Sequence, residues 1–365
     1  MAGIYLHIPF CPHRCTYCDF YSTTRLQDRG RYVDALVAEL ALRSDESSSE
    51  IATVYIGGGS PSTLETTDLE KIFEALYRYY SISPNAEITI EANPDDLTRL
   101  RLEEWSRQPV NRLSVGIQSF DDAQLQQLGR RHTADAARHC IAEAQQLGFD
   151  NISIDLMYGL PGQSAASWTY SIEQALALET QHISAYHLSY EPGTVMYGKR
   201  HLAIDEEQSV AFFLDLRHRL SAAGFKHYEI SNFALPGYES KHNSAYWNGT
   251  PYLGLGAAAH SYDGQSRSWN VSDIDEYMQS VLTGRRPFES ETLTETDRYN
   301  ETVMLSLRTA KGLDMASIEH GRQNSLLQKA QVFIHRGLLC QKNNFLILTE
   351  KGIFVSDSVI RDLMD

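Results

Sequence analysis

Three cysteines fall within eight residues near the start of the chain, in CPHRCTYC, and their type and spacing point to metal chemistry. Cys11, Cys15 and Cys18 follow a Cys-x3-Cys-x2-Cys pattern, and two residues further on stands Phe20 rather than a fourth cysteine. A structural zinc site wants four nitrogen or sulfur ligands, usually as two Cys-x2-4-Cys pairs; no second pair is present, and His13 is the neighbour that could be pressed in as a fourth. A nucleophilic cysteine needs one thiolate beside a base, which leaves two of the three unexplained. A cubane 4Fe-4S cluster offers four iron corners, and loop spacings of two and three residues let neighbouring cysteines converge on it. With three thiolates one iron stays open to a substrate or cofactor, as a catalytic zinc keeps an open position. Cys140, in the helical run ADAARHCIAEAQQLG, and Cys340 stand alone and read as small buried core residues. A total of five cysteines is odd and low, which argues against a disulfide framework.

The elements that must position this loop follow from the alternation of the sequence. Short β-rich runs at 4–8, 52–56, 87–92, 112–117, 151–157 and 182–188 are separated by amphipathic stretches such as RYVDALVAELALR, DLEKIFEALYRYY and ASWTYSIEQALALE. Strand, helix, strand in repetition predicts a parallel sheet with right-handed crossovers. After EEQSVAFFLDLRHRL, the run KHYEISNF is a candidate seventh strand. An open doubly wound sheet and a barrel both fit this alternation. No strand is followed by GxGxxG, however, and the unusual polar residues fall at or near successive strand ends: the cysteine loop, then GGGSP, Glu91, Gln118 and Asp155. A barrel collects such positions at one mouth, so residues 1–235 are expected to form a whole or partial barrel.

Residues 236–288 are rich in Gly and aromatics without a clean period, and are expected to pack across the barrel. Residues 289–365 read as TDRYNETVMLSLR, DMASIEHG and SLLQKAQVFIHRG helices, two strands around KNN and a final helix, which suggests a winged-helix-like unit. That unit has 9 Lys and Arg against 11 Asp and Glu, which favours packing or docking over DNA binding. The whole chain, 365 residues with a formal net charge of −15, shows no basic stripe of the kind that binds a phosphate backbone, so nucleic acid is excluded as a partner. No run reaches the roughly 18 apolar residues of a membrane span and no secretory leader pattern opens the chain, so a cytoplasmic location is expected.

The cysteine loop directly after the first strand, with GGGSP after the second, resembles the radical S-adenosylmethionine (SAM) superfamily. The resemblance implies an α/β fold, a partial (β/α)6 TIM-like barrel, with the 4Fe-4S cluster on Cys11, Cys15 and Cys18 and SAM chelated at the open iron. It implies further that Gly57, Gly58 and Gly59 meet the methionine amino group, that Glu91, Gln118, Arg130 and Asp155 make other SAM contacts, and that Tyr5 packs against the methionine end. These types suit the ligand, because a zwitterion bearing a sulfonium calls for carboxylate and guanidinium partners, and glycines remove the Cβ that would collide with it. Taken singly, each side chain reads equally as a solvated or capping group, and the glycines as a tight turn.

IYLHIPFC, GGGSPS, EANPDDL, GIQSF, LGRRHT, DLMYGLPGQ, HNSAYW and LTEKGIFVSDSVI carry the resemblance over essentially the whole chain. They resemble the group that holds oxygen-independent coproporphyrinogen III oxidase and a related heme chaperone. The oxidase pattern continues to a further cysteine where this chain has Phe20, and it includes an N-terminal extension, whereas here the first strand is expected from residue 4. KHNSAYWNG also matches a His-Asn-x-x-Tyr-Trp motif of the chaperone. The resemblance therefore implies a protein that binds heme and passes it to an acceptor protein, with an electron donor such as a flavodoxin; the oxidase is the alternative. His242, Tyr246 and Trp247 are the implied heme residues, since imidazole is a common axial ligand and flat aromatics offer surface to a flat macrocycle. The other reading makes the two aromatics core residues and His242 a hydrogen-bonded loop residue, and His260 and His187 are expected to be structural.

Overall fold

Residues 2–47 and 49–365 are described by a computed structural model of the chain. Six strands, β1 (Ala2–Ile8), β2 (Ile51–Gly58), β3 (Ile82–Ala92), β4 (Arg112–Gln118), β5 (Ile152–Tyr158) and β6 (His182–His187), lie side by side in chain order and pair in parallel. Between them run α1 (Arg29–Leu42), α2 (Thr66–Tyr79), α3 (Arg99–Trp105), α4 (Asp122–Leu128), α5 (Ala134–Gln146) and α6 (Ala165–Ala177), and α7 (Glu206–Ala222) follows β6.

Successive side chains on a strand point to opposite faces, and here the two faces have opposite character. Ile4, Leu6 and Ile8 of β1, Val54 and Ile56 of β2, Ile88 and Ile90 of β3, and Leu113, Val115 and Ile117 of β4 are buried in the core shared with the helices. The alternate positions, among them Tyr5, Thr53, Tyr55, Glu87, Glu91, Arg112, Asp155 and His182, make up the other face. That face lines a polar interior rather than a self-filled apolar one.

The sheet does not close, so the barrel is partial. KHYEISNF is not a seventh parallel strand: the chain reverses at Ile230 and Ser231, giving a hairpin of β7 (Lys226–Glu229) and β8 (Asn232–Ala234) that pairs antiparallel to β6. On the opposite side the Gly- and aromatic-rich segment folds as α8 (Lys241–Trp247), β9 (Tyr252–Leu255), β10 (His260–Tyr262), β11 (Ser266–Asn270) and α9 (Ile274–Leu282). Its β9 pairs parallel to β1, β10 and β11 continue antiparallel, and β12 (Phe288–Thr292) forms the sheet edge, where Glu289 and Glu291 discourage further pairing.

A buried ion pair fastens this extension to the barrel. Glu39 and Arg43, one turn apart on α1, are 0% and 1% exposed and 3.1 Å apart. Arg43 also donates to the Gly254 carbonyl (2.7 Å) and to Ser261 Oγ (3.1 Å), while Glu39 accepts from the Gly256 N–H (2.8 Å), Asn270 Nδ2 (2.7 Å) and Tyr277 Oη (2.6 Å).

The C-terminal part has its own apolar cluster, including Val303, Leu307, Leu326, Leu346 and Leu363, set between α10 (Glu295–Leu307), α11 (His320–His335) and α13 (Ser356–Leu363), with α12 (Glu350–Ile353) beside them. A small sheet of β13 (Leu313–Asp314), β14 (Leu339–Lys342) and β15 (Phe345–Leu348) gives it a wing. The helix expected over DMASIEHG is instead β13 and a 3-10 turn, Met315–Ser317, which the Asp314 carboxylate caps at its start by accepting from the Ala316 N–H and which ends where Ile318 takes an extended backbone. This unit covers the β7 edge through an Ala310 N–H to Tyr228 carbonyl bond of 2.9 Å. Among the described residues, no helix is long and apolar enough to cross a membrane.

Removing one member of a buried pair strands the other charge, at a cost of about 3–5 kcal/mol. Glu39→Ala is therefore expected to lower the free energy of urea unfolding by about that amount, while Glu74→Ala, at an exposed ion pair on α2, changes it by less than about 1 kcal/mol.

Candidate functional site

Leaving β1 at Ile8, the chain crosses the end of β2 at a place where only glycine fits. A Cβ on Gly59 would lie 2.8 Å from the Phe10 carbonyl oxygen and 2.9 Å from that of Ile8. The close approach lets the Gly59 N–H donate to the Ile8 carbonyl (2.8 Å) and the Ser60 N–H to that of Phe10 (2.7 Å). The loop is shut at its base by the Cys11 N–H to Thr23 carbonyl (2.9 Å) and Thr23 N–H to Pro9 carbonyl (2.7 Å) bonds. Gly58 has φ of 114°, and a Cβ there would meet the His7 ring at 2.6 Å.

Cys11, Cys15 and Cys18 so held line one cavity of about 420 Å³, together with Gly58, Gly59, Glu91, Gln118, Arg130 and Asp155. All three thiols are free, and burial raises the pKa of Cys11 and Cys18. Half-buried Arg130 donates to Asn93 Oδ1 and the Gly116 carbonyl, both at 2.5 Å, and reaches Cys15 Sγ at 3.5 Å. Asn93 Nδ2 in turn donates to Ser60 Oγ (2.8 Å), which is 3.5 Å from Cys11 Sγ. One hydrogen-bonded chain thus joins two of the cysteines. Among the described residues no three His, Cys, Asp or Glu side chains are grouped to hold a metal ion as they stand. A cubane takes its thiolates at separate iron corners, and a wall of three soft sulfur donors beside a cation fits that group.

Two half-buried carboxyls face the same cavity. Glu91 accepts from Tyr55 Oη (2.7 Å) and the Gly58 N–H (3.0 Å); burial lifts its pKa to about 7 although both bonds act to lower it. Burial lifts Asp155 to about 6, against the lowering effects of the Ser184 hydroxyl and Arg130. Gln118 sits on the wall with φ of 71°, a left-handed backbone that a side chain adopts at a cost. Gly57 and Tyr5 do not line this cavity. A Cβ on Gly57 would press on the Tyr55 ring at 2.7 Å and the Glu91 carboxyl at 3.0 Å, so its role in the geometry is to leave room for that pair. Tyr5 bonds His7 Nδ1 at 3.0 Å and stacks on Tyr55 with ring centroids 6.2 Å apart.

Beneath them α8 plugs the barrel. Glu87 on β3 accepts from the N–H groups of Lys241 (3.1 Å) and His242 (3.0 Å), answering two of the free donors at the helix start. His242 is 2% exposed. Its Nδ1 pairs with Thr53 Oγ1 at 2.8 Å and its Nε2 with Tyr246 Oη at 2.9 Å, and its ring stacks on Tyr55 at 5.0 Å. Burial pushes its pKa down to about 3, so the ring is neutral and donates through one nitrogen while accepting through the other. Trp247 is half-buried at the end of α8. His242, Tyr246 and Trp247 therefore do not form an open platform with a free imidazole nitrogen, because both nitrogens of His242 are engaged inside the barrel. A polar chamber of about 50 Å³, lined by Tyr55, Glu91, Arg112, Asp155, His182 and Asn243 among others, lies between the plug and the cavity and is large enough for water.

His187 lines the main cavity and bonds Ser209 Oγ at 3.0 Å, whereas His260 is exposed and stacks on Trp269 at 5.8 Å. Cys140 is buried in α5, and Cys340 is half-buried in β14. Sequence reasoning missed Ser60, Asn93, Thr53, Tyr55 and Glu87. The first two sit inside GGGSP and EANP, and the period-2 faces of β2 and β3 put the other three with Gly57 and Glu91.

The Tyr55 hydroxyl is the stronger of the two donors that hold Glu91 ionisable. Tyr55→Phe is expected to raise the Glu91 carboxyl further above about 7, by roughly one unit, read by 13C NMR titration of the metal-free protein.

Comparison with known proteins places this geometry in a family. The Radical SAM superfamily profile matches residues 5–175, which span β1 to most of α6, and the HemN C-terminal domain profile matches 293–355. Among curated proteins, heme chaperone HemW of Bacillus subtilis is 35% identical over 98% of this chain and 98% of its own. Heme chaperone HemW of Lactococcus lactis is 32% identical over 99% and 96%. The mitochondrial radical S-adenosyl methionine domain-containing protein 1 of Bos taurus is 31% identical over 100% and 87%. Among solved structures, coproporphyrinogen III oxidase (HemN) of Escherichia coli superposes with a TM-score of 0.86 at 22% identity, over 100% of this chain and 90% of that one, which shows a common fold. Since the likeness to the HemW proteins runs end to end and includes the cysteine loop, the chain belongs to the HemW family of the radical SAM superfamily.

Proposed function

We propose that this protein takes up heme and delivers it to an acceptor protein, and that the barrel mouth holds a 4Fe-4S cluster on Cys11, Cys15 and Cys18 with SAM beside it. The observation that carries the reading is the conjunction of a three-cysteine wall with full-length relatives named as heme chaperones. Phe20, where a further cysteine would continue the oxidase pattern, supports the same choice.

When bound, the cluster would supply a coordination position for SAM and an electron, the latter drawn from a donor such as a flavodoxin. The chain's own residues have separable tasks. Gly58 and Gly59 form the part of the wall proposed to face the ligand's methionine end, with the Gly58 N–H already on Glu91. Arg130, already tied to Cys15, offers its charge to a carboxylate, and Gln118 offers an amide. Glu91 and Asp155 are acceptors for the ammonium and sulfonium side. Their raised pKa values mean that these carboxyls are partly protonated near neutrality.

This electrostatics sets a pH dependence. SAM carries a net positive charge, so it binds best to ionised carboxylates, and a carboxyl whose pKa is raised to about 7 must first lose its proton. Affinity is expected to rise about tenfold between pH 6 and pH 8 and to level off above, measured by equilibrium dialysis of the cluster-loaded protein, with Glu91→Gln flattening most of the rise.

The functional class is decided by offering the anaerobically reconstituted protein hemin and, separately, coproporphyrinogen with SAM and reductant. Stoichiometric hemin uptake without formation of protoporphyrinogen is expected. Robust turnover of coproporphyrinogen would return the protein to the oxidase class.

A further inference from the structure

Away from the mouth, the sheet extension builds a second cavity, of about 330 Å³, that shares no lining residue with the first. Strand register decides which side chains it collects, because paired residues on neighbouring strands point to one side and alternate residues to opposite sides. Ser261, Ser268 and Ser290 stand opposite one another across β10, β11 and β12, and Ser266 is two residues from Ser268. The Tyr252–Tyr262 pairing turns Leu253 of β9 to the side of Ser261, with Pro251 two residues before it. Leu253 in turn pairs with Ile4 of β1, two residues beyond Ala2. One continuous face therefore carries a row of hydroxyls beside an apolar patch of Ala2, Pro251 and Leu253, and all of these line the cavity. It is the face that meets the end of α1, where Arg43 donates to Ser261 Oγ.

A guanidinium is held against the hydroxyl row without a carboxylate of its own. Arg286, whose side chain is 9% exposed, donates through Nε to Asn270 Oδ1 (2.7 Å) and through Nη2 to Ser268 Oγ (3.0 Å), and it lies 4.2 Å over the Phe288 ring. Among the described residues its Nη1 meets no acceptor: Glu46 Oε1 is 3.9 Å away, and both Glu46 oxygens already accept from Arg43, at 2.9 and 2.7 Å. Burial and the nearby Arg43 charge push the Arg286 pKa down to about 10, as for a cation short of counter-charge. Asp263, which also lines the cavity, is exposed and accepts from the N–H groups of Gln265 (2.7 Å) and Ser266 (2.6 Å). Among the described residues the hydroxyl hydrogens of Ser266, Ser268 and Ser290 find no acceptor either. The donors left over are thus one arm of a guanidinium and three hydroxyls, in a cavity that is apolar on its other side. That composition suits an organic anion.

We propose that this cavity binds a small carboxylate with a short apolar body, its carboxylate on Arg286 Nη1 and the free hydroxyls of the serine row, its body against Ala2, Pro251 and Leu253. Arg286, Asn270 and Ser261 belong to the network of the Glu39–Arg43 pair, so an occupant ties the extension more firmly to α1 and raises the stability of the folded chain.

Calorimetric titration of the full-length, cluster-loaded protein with isocaproate tests it, with isocaproamide as the uncharged isostere and inorganic phosphate as an anion that has no apolar body. Saturable isocaproate binding is expected, with the amide and phosphate each weaker by about tenfold or more. Arg286→Gln is expected to weaken isocaproate binding by about tenfold or more, because the carboxylate loses its cation. Ser266→Ala/Ser290→Ala is expected to weaken it by about threefold or more. The two serine side chains make no hydrogen bond within the chain's described residues, so that variant keeps the test open should Arg286→Gln fail to fold. Iron, sulfide and SAM binding should stay native in both, since the mouth shares no lining residue with this cavity. Absence of saturable isocaproate binding, equal affinity for the amide or for phosphate, or native affinity in either folded variant would overturn the proposal.

Discussion

Everything at the barrel mouth depends on one steric fact: the backbone at Gly59 lies against the carbonyls of Ile8 and Phe10 with no space for a Cβ between them. That contact puts the exit of β1 directly over the end of β2, so two backbone hydrogen bonds can form where a side chain would have forced the loop outward. The bonds fix Cys11, and the Cys11–Thr23 pairing turns the remaining cysteines back over the same opening. Ser60, one residue on, then begins the chain through Asn93 and Arg130 to Cys15. A glycine just past the end of β2 therefore determines where sulfurs on another segment lie, and a larger residue at 59 would act on the cavity through the backbone rather than by filling it.

The interior beneath poses the opposite problem. A barrel lined by Thr53, Glu87, Glu91, Arg112, Asp155 and His182 cannot fill itself, and an unanswered buried polar group costs roughly 1–3 kcal/mol. Helix α8 resolves most of this by entering the lumen with its own polar groups in complementary places: N–H groups for Glu87, and an imidazole between Thr53 and Tyr246. Because His242 also stacks on Tyr55, and Tyr55 donates to Glu91, the plug and the ligand cavity share a wall. A displacement of α8 would remove the support of the Tyr55 ring before it disturbed any cysteine.

How much of this the sequence disclosed follows from where the information is local. The alternation of apolar strands and amphipathic helices made β1 to β6 and their crossovers legible, and the polar residues at strand ends located the mouth. The strands of the 236–288 segment were not legible, since β9 and β10 are four and three residues long and owe their existence to β1 and to the Glu39–Arg43 pair, 211 and more residues away. KHYEISNF reads as a continuous strand because it has neither Gly nor Pro, and the weaker turn residues Ser231 and Asn232 show their role only where β8 pairs antiparallel to β6. His242 illustrates the same limit within the site. Its type and aromatic neighbours suit a metal ligand, and the partners that occupy both nitrogens come from β2 and from four residues along its own helix.

The two ends of the barrel thus carry contrasting electrostatics, and the contrast limits what each can bind. At the floor, desolvation holds His242 neutral, and desolvation together with the nearby Arg112 charge holds His182 neutral, so both rings serve there as neutral hydrogen-bonding groups. In the cavity, desolvation works against carboxylates, and Glu91 and Asp155 are left near their ionisation point, where a cation entering with its own charge recovers the energy that burial withheld.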